Sequence, residues 1–110
     1  MAQNFRRYTA RNVGTSATTV FTADSYDTVI GIACANITTA EIKVDVILND
    51  ADSSNDVYLI KGAPIQNGGT LQVIDGGAKY VVKSGDVLKV VSNTASSLDV
   101  IVSVVDDIST

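Results

Sequence analysis

Asp50-Ala51-Asp52-Ser53-Ser54-Asn55-Asp56 sets side-chain oxygens at alternate positions, the arrangement by which a calcium loop collects hard ligands. Its continuation departs from an EF-hand. Asn55 stands where the sharp turn needs glycine, and Lys61 where the bidentate glutamate belongs. The same residues suit a solvated hairpin turn, because Asp, Asn and Ser bond their own backbone, and we read them as one. Histidine is absent, which removes the usual general base and the commonest metal ligand together. Serine and threonine therefore lack the usual base to activate them, the lysines fall on polar strand faces, and the carboxylates, which could still pair as acid and base, sit mostly in turns or on exposed strand faces. Cys34 is the single cysteine, so no disulfide forms within the chain. Its parity with Ile30 and Ile32 puts it on an apolar face as a small buried hydrophobe. Asn67-Gly68-Gly69 and Asp75-Gly76-Gly77 are turns rather than phosphate cradles, since neither opens a helix whose N–H groups could meet a phosphate. The chain is expected to be no enzyme, with no catalytic residue, no cofactor and no metal.

Charge narrows the partners. The formal net charge is −4, yet Arg6, Arg7 and Arg11 are the only basic residues before Lys43, and the first acid is Asp24. A basic N-terminal arm thus precedes an acidic body, which argues against nucleic acid, because phosphate binding needs an extended basic face. No run of the ~20 apolar residues that a span requires is present, and no apolar segment follows Met1. Synthesis in a cytoplasm, with no signal peptide and no membrane contact, is the expectation. The sequon Asn36-Ile37-Thr38 then reads as a turn. With no tryptophan and 5% aromatic residues, there is little to stack a sugar ring.

The elements that would position these residues are strands. Hydrophobic content is 45% and is carried by Val, Ile, Leu and Ala, side chains that favour a pleated surface. Ile42, Val44, Val46 and Leu48 alternate with Glu41, Lys43 and Asp45, while Ile47 breaks the polar side. Over residues 28–35, Ile30, Ile32 and Cys34 share one parity, and Val29, Gly31, Ala33 and Ala35 the other, so close packing is expected on both faces. Residues 87–91 and 98–105 read as a closing hairpin. Its second strand turns Leu98, Val100, Val102 and Val104 toward Ile42, Val44, Val46 and Leu48, and leaves Ile101 and Val105 on a face more apolar than solvent favours. About eight strands at spacings of roughly ten residues, with no helix, predict one all-β sandwich of jelly-roll or Greek-key type. Residues 1–12 form the arm and 13–110 the sandwich.

Asn12-Val13-Gly14-Thr15, Thr28-Val29-Ile30-Gly31, Val57-Tyr58-Leu59-Ile60-Lys61-Gly62-Ala63-Pro64 and Ser84-Gly85-Asp86-Val87-Leu88-Lys89-Val90 resemble small virion structural proteins of tailed bacteriophages, marine cyanophages in particular. The resemblance implies a non-enzymatic subunit of a phage particle that decorates or cements head, neck or tail. Its partners would be major capsid or tail proteins and further copies of itself, as a homo-oligomer or multicopy assembly located in the virion. The second reading is a host-surface or glycan-binding domain of a tail fibre or tip. In either case Phe5, Arg6, Arg7, Tyr8 and Arg11 are the expected partner contacts, with Ile101 on the apolar outer face.

Overall fold

The computed structural model describes residues 5–24, 26–73 and 79–105. They form nine strands and no helix: β1 (Phe5–Val13), β2 (Thr18–Thr22), β3 (Asp27–Asn36), β4 (Ile42–Asn49), β5 (Asp56–Ile65), β6 (Thr70–Gln72), β7 (Tyr80–Val82), β8 (Val87–Ser92) and β9 (Leu98–Val105). The turn expected at residues 75–77 and the acidic tail at 107–110 lie outside the described residues.

All pairings are antiparallel, in two sheets. The first runs β1-β9-β3-β6, with β7 pairing β3 beside β6; the second runs β2-β8-β4-β5. Because β6 and β7 share one edge position, eight positions are filled, and their order is that of a jelly roll. Successive strands of the chain repeatedly change sheet. The closing pair is therefore corrected: β8 lies in the second sheet and β9 in the first, so residues 93–97 turn a corner between sheets rather than close a hairpin. Alternation encodes which side chains face inward, and both strands have it; it says nothing about which sheet a strand joins.

The inward faces make one core. Leu98, Val100, Val102 and Val104 of β9 lie in it with Ile42, Val44 and Val46 of β4, and Leu48 packs against it. One parity is corrected by a bulge: Val29 pairs Val104 and Gly31 pairs Ser103, so Ile30 is an extra residue. The slip puts Val29, with Ile32 and Cys34, among the buried residues, while Ile30 lies in a shallow groove with Arg7 and Ser103. Burial pushes the Cys34 thiol up to about 11 from 9.0. The group is neutral when folded, so its contribution to stability is complete below the unfolded value and is lost as pH rises from about 9 toward 11. We expect Cys34 to react with a thiol reagent only as fast as the protein opens, which a parallel measurement of labelling and unfolding in urea will show.

Among the described residues, no buried side-chain nitrogen or oxygen lacks a partner. Asn36, 3% exposed, sits at the end of β3. Its Nδ2 donates to Ala40 O at 2.7 Å, Ile65 O at 3.0 Å and Gln66 O at 3.1 Å, and its Oδ1 accepts from Thr38 N and Thr38 Oγ1. One amide thus ties the β3–β4 connection to the end of β5.

Candidate functional site

Acidic residues of the β4–β5 turn are occupied within the fold. Asp50 accepts from Asp52 N at 2.9 Å and Ser53 Oγ at 3.3 Å, Asp52 pairs with Lys83 at 2.6 Å, and Asp56 accepts from Asn49 Nδ2 and Lys89 Nζ. The Asn49 amide and the Lys89 ammonium hold the Asp56 carboxyl below its usual value. Beneath them, the Asp86 carboxylate accepts from Ala51 N and Lys83 N, fastening the turn to the β7–β8 connection. Among the described residues no three His, Cys, Asp or Glu side chains are grouped to hold a metal ion. The oxygens that suggested calcium at the level of sequence are acceptors for backbone and lysine donors.

The outer faces of the two sheets differ in chemistry. That of the second carries Lys43, Asp45 and Lys89, and Lys89 pairs with Asp56 at 3.2 Å. Ile47, the residue that broke its polar pattern, is 4% exposed and flanked in register by Lys89 and Tyr58; Lys61 Nζ lies 4.4 Å from the Tyr58 ring centroid. Long side chains cover this isoleucine with their stems while their charges stay wet.

On the first sheet, register builds a different surface. Phe5, Val105, Thr28 and Val81 align across it, and so do Arg7, Ser103 and Gly31, then Thr9, Ile101, Ala33 and Gln72, then Asp99, Ala35 and Thr70. Phe5 is 70% exposed, Val81 69% and Ile101 43%. A groove of about 470 Å³ is lined by Thr9, Arg11, Ala33, Ala35, Thr70 and Ile101. Small side chains on β3 leave this hollow, and none of the described residues packs over it. Among the described residues, the close packing expected for both parities of β3 is met on one side only.

The sequence-derived contact residues divide between surfaces. Residues 5–12 lie in β1, the edge of the first sheet, hydrogen-bonded along β9 from Phe5↔Val105 to Ala10↔Val100; the boundary drawn at residue 12 falls inside this strand. Arg7 and Arg11 reach the outer side with Ile101. Tyr8 turns inward and stacks on Phe21 of β2, with centroids 4.6 Å apart at 12°, closing the side of the sandwich where β1 meets β2. Arg6 shares the parity of Tyr8. Sequence reasoning finds a strand at residues 57–61 but not its place at the edge of the second sheet, which leaves Val57 and Tyr58 exposed directly after the acidic turn. Its signal was legible: Gly62 and Pro64 disrupt only the second half of a strand whose first half, residues 57–60, is unbroken β-former.

No family model and no curated protein matches the sequence. A solved structure described as "Bacillus endospore appendages form a novel family of disulfide-linked pili" matches with a TM-score of 0.52 at 12% identity, covering 98% of this chain and 88% of the other. At that identity the likeness shows the shared fold. It also corrects the expectation of a virion protein: the architecture matched from end to end is a bacterial appendage subunit, not a phage head, neck, tail or fibre component. The location in a virion, the capsid and tail partners and the fibre-tip reading fall with it. The motifs that suggested a phage protein, such as Ser84-Gly85-Asp86 before β8, are turn-and-strand chemistry that any jelly roll of valine-rich strands reuses.

Proposed function

We propose that this chain is a non-enzymatic structural subunit that polymerises with copies of itself into an extracellular appendage. The full-length match to a subunit of disulfide-linked pili carries the reading, and the sheet edges support it. β1 ends the first sheet and β5 the second. A free edge offers unpaired N–H and C=O groups to another strand. Arg7 and Arg11 lie on β1, whereas β5 begins at Asp56, just after Asp50 and Asp52. Asp52 and Asp56 are already paired with Lys83 and Lys89, so a β1 edge meeting the β5 edge of the next copy rests on backbone pairing between strands. Such a contact joins two different surfaces, so it passes from copy to copy and continues as a filament where the rotation between copies does not close a ring.

Any link between copies of this chain bypasses Cys34, which is 0% exposed. Assembly should therefore survive reductant. Purified protein examined by electron microscopy and light scattering is expected to form filaments; protein that stays monomeric at every concentration and salt condition would refute the reading. Val57→Lys and Tyr58→Lys place charges on the bare half of β5 without touching the core. We expect each to raise the concentration at which filaments appear by roughly tenfold, equivalent to about 1.4 kcal/mol per contact, with the melting temperature little changed.

A further inference from the structure

The turn between β5 and β6 carries the one asparagine of the chain that precedes a glycine, Asn67-Gly68. Gly69 N donates to Gln66 O at 2.9 Å, and Gly68 has φ +70° while Asn67 is not among the positive-φ residues, which makes a type II turn with glycine at its third position. Asn67 and Gly68 are both exposed. Nothing lies within 4 Å of where a Gly68 Cβ would stand, and among the described residues no acceptor holds the Gly68 N–H. An asparagine amide, a following nitrogen without a neighbouring side chain, and room for the peptide to rotate are the requirements for spontaneous imide formation.

We propose that Asn67 is a self-modification site that converts to aspartate and isoaspartate and thereby loosens the fold. The Gly68 backbone nitrogen, having lost its proton to base, attacks Asn67 Cγ. The new C–N bond closes a five-membered imide, the Cγ–Nδ2 bond breaks, and ammonia leaves carrying the displaced nitrogen. Water then adds at one of the two imide carbonyls and the ring C–N bond at that carbon breaks: opening at Cγ gives aspartate, and opening at the Asn67 main-chain carbonyl gives an isoaspartate whose backbone is one methylene longer. The Gln66–Gly69 hydrogen bond restrains the rotation, so the folded chain reacts more slowly than the same segment unfolded.

The effect reaches the interior because the turn is pinned at both ends to one buried residue. Asn36 Nδ2 holds Gln66 O at 3.1 Å, and Asn36 N donates to Gly69 O at 2.9 Å. A lengthened backbone between Gln66 and Gly69 cannot keep both contacts at their present spacing. The other asparagines lack the requirements: each is followed by a residue with a side chain, and Asn36 itself is buried with its amide fully engaged.

The test is ageing of the intact protein at mildly alkaline pH, followed by peptide mapping with mass spectrometry and isoaspartate-specific methylation. Conversion at Asn67 ahead of every other asparagine, faster as pH rises, is the expected result. Asn67 that stays intact while a synthetic peptide of residues 64–71 converts under the same conditions would overturn the site. The structural consequence is read separately, as a melting temperature that falls with age in the wild type and holds in Asn67→Ser. An equal fall in both proteins, or none in either once Asn67 has converted, would overturn the coupling to the fold.

Discussion

Asn36→Ala is expected to lower the stability of the domain by about 3 kcal/mol, because it removes at once several hydrogen bonds worth about 1 kcal/mol each and takes the Nδ2 donor from the buried Ile65 carbonyl. Domains of this size are held by roughly 5–15 kcal/mol, and the melting temperature should fall by about 12 °C or more. The size of the effect follows from position. Asn36 is 3% exposed, and its three acceptors lie on the β3–β4 connection, the end of β5 and the β5–β6 connection. Alanine leaves the Ile65 carbonyl, paired in the interior by Nδ2 at 3.0 Å, without its donor. Asn36→Asp keeps the acceptor for Thr38 but turns an oxygen toward three carbonyl oxygens, and should be at least as damaging at neutral pH. Urea and thermal unfolding measure both. A variant within about 2 °C of wild type would mean that the β3–β4 and β5–β6 connections hold their positions without this amide.

Ile101→Asp should have the largest effect on assembly and little on folding. The side chain is 43% exposed on the outer face of β9 and bounds the groove shared with Ala33 and Ala35. We propose that this face is covered when subunits assemble, since it is the side of the sandwich where apolar and small residues meet solvent. Introducing a carboxylate there changes the monomer by about 0.5 kcal/mol or less but buries a charge when a neighbour covers the face, at a cost of several kcal/mol. Loss of filaments with an unchanged melting temperature is the expected outcome. Val102→Asp, one residue along, supplies the contrast: Val102 is 0% exposed in the core, so the same charge should prevent folding. Filaments of Ile101→Asp with wild-type stability would show that the outer face of the first sheet stays uncovered in the assembly and leave the β1 and β5 edges as the contacts.

Periodicity made the strands and their inward faces legible, because side chains alternate about the pleat whatever the sheet contains. Ile42, Val44 and Val46 and the even-numbered residues from Leu98 to Val104 were assigned to the core from that pattern alone, and they form it. The apolar outer position of Ile101 was legible in the same way. Ile30 was not, since a bulge adds a residue to one strand without leaving a mark in composition. Tyr8 stood in a stretch with no clean apolar side, and only the approach of β1 to β2 gave it Phe21 to stack on.

The sequence by itself determined an all-β sandwich, the inward face of most strands, the buried cysteine and the absence of histidine. Those are properties of residue type and of spacing along one strand. Tertiary structure alone decided that the last two strands belong to different sheets, that residues 5–13, legible as an arm or an edge strand, pair with β9, that Lys83 and Lys89 pair with the acidic turn, and that one face stays apolar while the other is charged. Each of these depends on contacts between residues far apart in the chain, where hydrogen bonding and packing choose among pairings that local pattern leaves equally good.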